Sequence, residues 1–271
     1  MSSIKLNDVL KLDNLTNVKI RFNLMFGNNW NPIEIFKNNE IHTLLSGQYW
    51  NYKKRKSYKQ GQITVGFIKI TSKENYWLLF HIGQITKDLN IQNGVGYEFE
   101  TLKDYEKYFG RLIVKFKNSS QNMVRNAESV IDECEIAQIL PDIFDNDIFP
   151  GYDKVNLSWN ELSRVLEKDN WKTALRNQKG VYLINDTSNG KIYVGSAYGN
   201  DMILNRWKAY VDTRHGHNKE LKLLDKTHIE KHFRYSILDI FKSTTDEQTI
   251  IERENWWKEV LLSRKFGYNS N

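Results

Sequence analysis

The sequence predicts an α+β fold in two units: a strand-rich, barrel-like first half, and a second half built from a hairpin, a helix, a third strand and a closing helix. Three observations carry this. Val18–Phe22, Gln62–Thr71 and Arg111–Phe116 place β-branched and aromatic residues at the period of a strand. Gly180–Ile184 and Lys191–Gly195 are two further runs of this kind, separated only by the turn formers Asn185 to Gly190, which is a hairpin signature. Leu140–Tyr152 holds two of the three prolines, with acids and no base, a composition that discourages both helix and central strand. The boundary falls near residue 150, giving units 1–150 and 151–271.

The remaining elements follow in order. Tyr76–Ile82 comes after the polar turn Thr71–Asn75 and pairs with the strand before it as a hairpin. Leu102, Tyr105 and Phe109 stand at helical spacing. Met123–Ala127 and Ser129–Ile136 read as a helix or a final strand. In the second half, Ser158-Trp-Asn-Glu161 is a capping box, with Leu162, Val165 and Leu166 on one helical face behind it. A helix from Met202 to about Tyr210, a polar histidine-bearing turn at Arg214–Asn218 and a helical Lys219–Leu224 come next. A strand over Phe233–Phe241 and a helix from about Asp246 to Leu262 close the chain.

Of 271 residues, 40% are hydrophobic and 27% charged, the balance of a soluble globular protein. No apolar run is long enough to span a bilayer, and the first residues lack a signal-peptide core. The single cysteine, Cys134, excludes a disulfide framework and a multi-cysteine zinc site, and reads as an inert thiol. The expectation is a cytoplasmic protein with no membrane partner. The net charge of +6 is modest, but its distribution is uneven. No acid lies between Glu40 and Glu74, whereas Lys53, Lys54, Arg55 and Lys56 do, beside Trp50 and Tyr52. A basic run interleaved with aromatics suits phosphate contacts and base stacking, so these six are candidate DNA-binding residues; a solvated loop beside core aromatics is the competing reading.

In the second half, the hairpin sets Tyr182 and Tyr193 on adjacent strands, each with a glycine two residues away, Gly180 and Gly195. Arg206 and Tyr210 are one helical turn apart on the next helix. On the last helix, Glu254 interrupts an apolar stripe with Trp257 and Leu261, and a carboxylate on a buried face needs a partner or a metal.

Gly-Val-Tyr (180–182), Tyr-Val-Gly (193–195), Arg206, Glu254 and a near-terminal Asn269, in that order, resemble the GIY-YIG nuclease family over roughly residues 177–271. The resemblance implies a small three-stranded antiparallel sheet flanked by helices, cutting phosphodiester bonds with one divalent ion, Mg²⁺ or Mn²⁺, and leaving 5′-phosphate ends. It implies that Glu254 is the metal ligand, that Arg206 clamps the scissile phosphate, and that Tyr182 and Tyr193 position and deprotonate the attacking water. Tyr182 is favoured as the base, its hydroxyl acidified by the metal, Arg206 and Lys191. Tyr210 stands near the phosphate, and Asn269 gives polar support.

Two departures stand out. Some members carry a lysine directly after the second motif, where this chain has Ser196, so Lys191 is expected to supply the nearby charge. The stretch from Tyr193 to Arg206 is also longer than in the shortest members. Gly195–Gly199, the helix that follows and the Gly-His turn resemble the restriction-endonuclease-like branch. His215 and His217 make a weak zinc pattern and read better as a phosphate contact or solvated residues. The first half would then recognise the target in double-stranded DNA. Fold-level analogy to PUA-like modules suggests a modified base as that target. The expected role is restriction; a mobile-element or repair nuclease, an inactive nucleic-acid-binding protein and an RNA-directed nuclease are the alternatives. Cutting two strands leaves open a homodimer on DNA.

Overall fold

The computed structural model describes residues 3–27, 30–53, 55–120 and 122–270. The chain divides into two units, Met1–Asp145 and Asn146–Asn271. Among the described residues, no helix is long and apolar enough to cross a membrane.

The first unit is strand-rich. Its strands are β1 (Val18–Asn23), β2 (Trp50–Asn51), β3 (Ile63–Lys69), β4 (Tyr76–Asp88), β5 (Gly94–Val95), β6 (Tyr97–Thr101), β7 (Leu112–Lys115), β8 (Val124–Asn126) and β9 (Glu135–Ile139). Three short helices join them, α1 (Leu6–Leu10), α2 (Pro32–Lys37) and α3 (Ile41–Gln48). The main sheet runs β8-β1-β3-β4-β7-β9, with β6 paired to the far half of the long β4, while β2 and β5 form a separate pair. Among the described residues, only β1 and β3 run parallel, and the crossover between them carries α2, α3 and β2. The strands read as nearly continuous apolar runs because both faces are covered. Ile20, Phe22, Val65, Phe67, Trp77 and Leu79 form one core; Ile68, Ile70, Leu78 and Phe80 meet Ile33 and Leu44 on the other side.

The ambiguous stretch 123–136 resolves into β8, two 3₁₀ turns and the start of β9, not a helix. The three helices escape a periodicity reading because none exceeds eight residues. Cys134 is buried in the core, and burial pushes its thiol up to about 12, so it is inert.

The second unit contains β10 (Asn156–Ser158), α4 (Trp159–Val165), α5 (Asp169–Arg176), β11 (Lys179–Asp186), β12 (Ile192–Ala197), α6 (Met202–Thr213), α7 (Lys226–His232), β13 (Phe233–Phe241), α8 (Glu247–Val260) and α9 (Ser263–Phe266). The capping box at α4 forms as the spacing requires: Glu161 N donates to Ser158 Oγ at 3.2 Å, and Ser158 N donates to Glu161 Oε2 at 2.7 Å. The sheet is antiparallel in the order β10-β13-β11-β12, so the three expected strands gain a short fourth on the outer edge of β13. Tyr182, Ile184 and Tyr193 face Trp171, Leu204, Trp207 and Tyr210 of the helices on one side. Val181 and Val194 face Ile250 and Trp257 of α8 on the other.

Strand β12 ends the sheet, and the C-terminal tail lies along its free edge. Tyr268 N donates to Ile192 O at 2.8 Å; Asn269 accepts from Val194 N at 2.9 Å and donates to Val194 O at 2.8 Å. Asn269 therefore pins the tail to the strand that carries Tyr193.

Candidate active site

At the free edge of β12, side chains from both faces of the sheet reach one place. A cleft of about 360 Å³ is lined there by Tyr193, Ser196, Asn205, Arg206 and Glu254, with the loop from Tyr198 to Asn200 along its rim. Tyr193 and Arg206 come from the helical face, and Glu254 comes from α8 on the opposite face.

Arg206 is held from behind. Its Nε donates to the Tyr182 hydroxyl at 2.8 Å, Nη2 to the Tyr210 hydroxyl at 3.3 Å, and Nη1 to the Gly216 carbonyl at 2.9 Å. Tyr182 and Tyr210 are fully buried with their hydroxyls 3.1 Å apart. Three of the five guanidinium donors are thus committed to the scaffold, and two remain for a ligand in the cleft.

Glu254 is engaged on both oxygens. Oε1 meets Lys258 Nζ at 2.9 Å, one helical turn on, and Oε2 accepts a short hydrogen bond from Ser196 Oγ. The Lys258 side chain is only 4% exposed, so this ion pair is buried. Lys258 was not among the residues singled out from sequence, although its i+4 spacing from Glu254 is readable there.

The glycine in Tyr-Val-Gly has a steric cause. In the β11–β12 register Gly195 lies opposite Tyr182. A Cβ on Gly195 would sit 2.4 Å from the Tyr182 hydroxyl oxygen and 2.9 Å from the Tyr193 ring. Gly216, in the turn between His215 and His217, has φ of +53°, and a Cβ there would lie 2.4 Å from the Tyr210 ring. This glycine, which also hands its carbonyl to Arg206, was marked in the sequence only as part of the Gly-His turn. Gly195→Ala is expected to push Tyr182 off Arg206 and reduce catalysis by roughly 100-fold. Gel-based cleavage rates check this, and thermal melts report the accompanying overpacking.

Several expectations require correction. Lys191 does not join the site: it is exposed, with Nζ 5.6 Å from the centre of the Tyr268 ring, because the strand begins only at Ile192. Lys258 is paired with Glu254 but is buried and does not line the cleft. Without a metal, burial raises the Tyr182 pKa and the Tyr193 hydroxyl adds to this, against the lowering effect of Arg206. It does not line the cleft, whereas Tyr193 does. Asn269 keeps its expected supporting role, which it exerts through the β12 backbone. His215 and His217 are bound to each other through the His217 amide and His215 Nδ1 at 3.0 Å. Among the described residues there is no group of three or more His, Cys, Asp or Glu able to hold a metal.

A second buried network supports the tail. Asp186 is fully buried and accepts from Ser188 Oγ at 2.6 Å and Tyr268 OH at 2.7 Å, with His228 Nε2 at 2.7 Å. It ties the hairpin turn, α7 and the C-terminal tail together. Burial raises its pKa, but the hydrogen bonds from Ser188, His228 and Tyr268 outweigh this and hold it at about 2, below the usual 3.8. A depressed carboxylate stabilises the fold above its unfolded pKa and loses that contribution as pH falls through the folded value. About 2 kcal/mol is therefore expected to disappear between about pH 4 and pH 2. Acid denaturation followed by circular dichroism checks this, with Asp186→Asn flattening that limb.

The DNA-binding candidates of the first unit line a separate groove of about 1710 Å³. Trp50, Tyr52, Arg55 and Lys56 are on its wall. Lys53 is exposed but does not line it, and Lys54 lies outside the described residues. Lys56 is not a free cation, since its Nζ is 2.6 Å from Asp88 Oδ2.

Residues 178–269 match the family model of the GIY-YIG catalytic domain. Over 96 residues the chain is 38% identical to "Intron-associated endonuclease 1" of Enterobacteria phage T4, a stretch that is 34% of this chain and 36% of that protein. The chain thus spans about a third of the length of the curated relative it matches. Two solved structures of the catalytic domain of the intron endonuclease I-TevI, one a point mutant, are 33% and 35% identical. They cover 35% and 34% of this chain and 94% and 96% of their own, with TM-scores of 0.30 and 0.25. Within the second unit, residues 178–269 thus carry a GIY-YIG catalytic domain.

Proposed function

We propose that the protein is a metal-dependent DNA endonuclease whose second unit hydrolyses phosphodiester bonds and whose first unit selects the target. One observation carries this reading: Tyr193, Arg206 and Glu254 line one cleft, with Arg206 fixed from behind by three acceptors. A guanidinium with two free donors matches paired phosphate oxygens, which an ammonium cannot do. Tyr193 lines the same space, where its hydroxyl would orient a water and take its proton. Tyr182, buried behind Arg206, acts as a latch for the arginine.

The cleft's chemistry fits a hard divalent ion such as Mg²⁺ or Mn²⁺. One carboxylate and a hydroxyl face it, and such ions keep several waters and take the rest of their shell from phosphate. Glu254 would hold the ion, which when bound would neutralise charge developing on the phosphate. For that, Lys258 must give up Glu254 Oε1.

Restriction is the role proposed, with an unmodified or modified base as the first unit's target. The match to an intron-associated endonuclease favours a mobile-element role as the second reading. That match is confined to about a third of the chain, and the role is set by the module that chooses the site. Cleavage of unmodified plasmid, cytosine-modified phage DNA and methylated bacterial DNA, with Mg²⁺ or Mn²⁺, tests the proposal. Cutting of only one DNA makes residues 1–150 the sensor of that modification. Discrete cutting of all three gives a sequence-specific endonuclease, acting as a homodimer or by sequential nicking. No cutting, with binding retained, removes the catalytic reading.

A further inference from the structure

The groove of the first unit has a charged floor with no counter-charge. Arg21 is 3% exposed. Its Nε donates to Asn23 Oδ1 at 3.1 Å, Nη1 to the carbonyls of Gln48 and Trp50 at 3.1 and 3.2 Å, and Nη2 to the Tyr52 hydroxyl at 3.4 Å. All four partners are neutral, and among the described residues no carboxylate pairs with it. A buried, hydrogen-bonded but unneutralised guanidinium is unfavourable in isolation. It becomes favourable when an electron-rich ligand arrives. The longest of the four contacts is the one to Tyr52 at the groove wall, and the second Nη2 proton is uncommitted.

The rest of the groove agrees in sign. Among the described residues its lining holds five cations, Lys19, Arg21, Arg55, Lys56 and Lys59, and one carboxylate, Asp88. Lys56 neutralises that carboxylate. Aromatic rings are part of the lining: Phe26 is 82% and Tyr52 47% exposed, and Trp30 and Trp50 also line the groove. Trp30 lies against α3 only because residue 47 is glycine, where a Cβ would come within 2.3 Å of the indole.

Exposed rings over a cationic floor match one ligand chemistry, a planar heterocycle carrying phosphate. We propose that this groove accepts an unstacked nucleotide of the DNA target. Its base lies against the aromatic wall, Arg21 Nη2 donates to an acceptor on the base edge, and Lys19, Arg55 and Lys59 meet the flanking phosphates. The proposal rests on the reading that the protein acts on DNA. It makes Arg21 and Tyr52, which are remote in sequence from the catalytic motif, determinants of target choice.

The test uses the full chain in the presence of a chelator, with DNA carrying one 5-iododeoxyuridine at a mismatched position. Photocrosslinks mapped by mass spectrometry are expected on Phe26, Trp30, Trp50 or Tyr52. Tyr52→Ala is expected to weaken binding about tenfold, by loss of stacking. Arg21→Gln retains donors for the floor carbonyls but removes the charge, and should weaken binding and lower its salt dependence. Should Arg21→Gln fail to melt cooperatively, Phe26→Ala and Lys59→Ala, both at the groove rim, decide the matter. Crosslinks confined to residues 146–271, or unchanged affinity in Tyr52→Ala and Phe26→Ala, overturn the proposal. So does equal affinity for polyglutamate of matched charge. Wild-type cleavage by the same protein with Mg²⁺ in place of the chelator separates the two levels. Cleavage with neutral groove variants sinks the groove alone, and absence of cleavage of any DNA sinks the underlying reading.

Discussion

Arg206→Lys is expected to lower the rate of DNA cleavage by about 10²–10³-fold while leaving DNA affinity nearly unchanged. The charge survives the substitution, so any loss reports the fork. In the structure the guanidinium is bound at Nε, Nη1 and Nη2 by Tyr182, Gly216 and Tyr210, which leaves two donors at a fixed angle to the cleft. A lysine ammonium reaches one of those acceptors at most and aims no paired donors at a phosphate. The Tyr182 and Tyr210 hydroxyls, fully buried, then lose their strongest partner. Single-turnover cleavage of end-labelled duplex and anisotropy with the same duplex separate the two effects. A rate within tenfold of wild type would mean that Arg206 acts only as a bulk charge.

Glu254→Gln is expected to abolish cleavage and also to destabilise the second unit by about 1–3 kcal/mol, because it breaks the buried Lys258–Glu254 pair. The double variant Glu254→Gln with Lys258→Met separates the two consequences. It removes both charges, so stability should return toward wild type while cleavage stays absent. Chemical denaturation and plasmid nicking, run on the same samples, check both halves. Activity regained with stability would make Glu254 a structural residue. Lys258→Met alone frees Glu254 Oε1 and should tighten Mn²⁺ binding, read by electron paramagnetic resonance without any turnover.

What could be read from the sequence was what local chemistry writes down. The β11–β12 hairpin, the Ser158–Glu161 capping box and β13 follow from period-2 runs, turn formers and a cap, each confined to a few adjacent residues. Tyr193, Arg206 and Glu254 could be named because each stands in a motif. The illegible parts depend on three-dimensional neighbours. Lys191 looked close to Tyr193 at two residues' distance, but the turn carries its side chain to Tyr268. Tyr182 looked like a base beside cations until burial behind Arg206 made it a latch. Gly216 is one more glycine in a turn until its carbonyl meets Arg206 and its missing Cβ admits Tyr210. Arg21 is one of two basic residues in a strand, and only the fold shows that, among the described residues, no carboxylate pairs with it. Helices α2, α3, α5 and α7 have eight residues or fewer, too few for a helical period to separate from chance.

The central claim is that the cleft at the free edge of β12 is a hydrolytic phosphodiesterase site. The most direct measurement is cleavage of supercoiled DNA in Mg²⁺ by wild type, Glu254→Gln/Lys258→Met and Tyr193→Phe, with folding verified for each. The account predicts nicked or linear products from wild type alone, with DNA retention equal in all three. Products from either variant at the wild-type rate would contradict it.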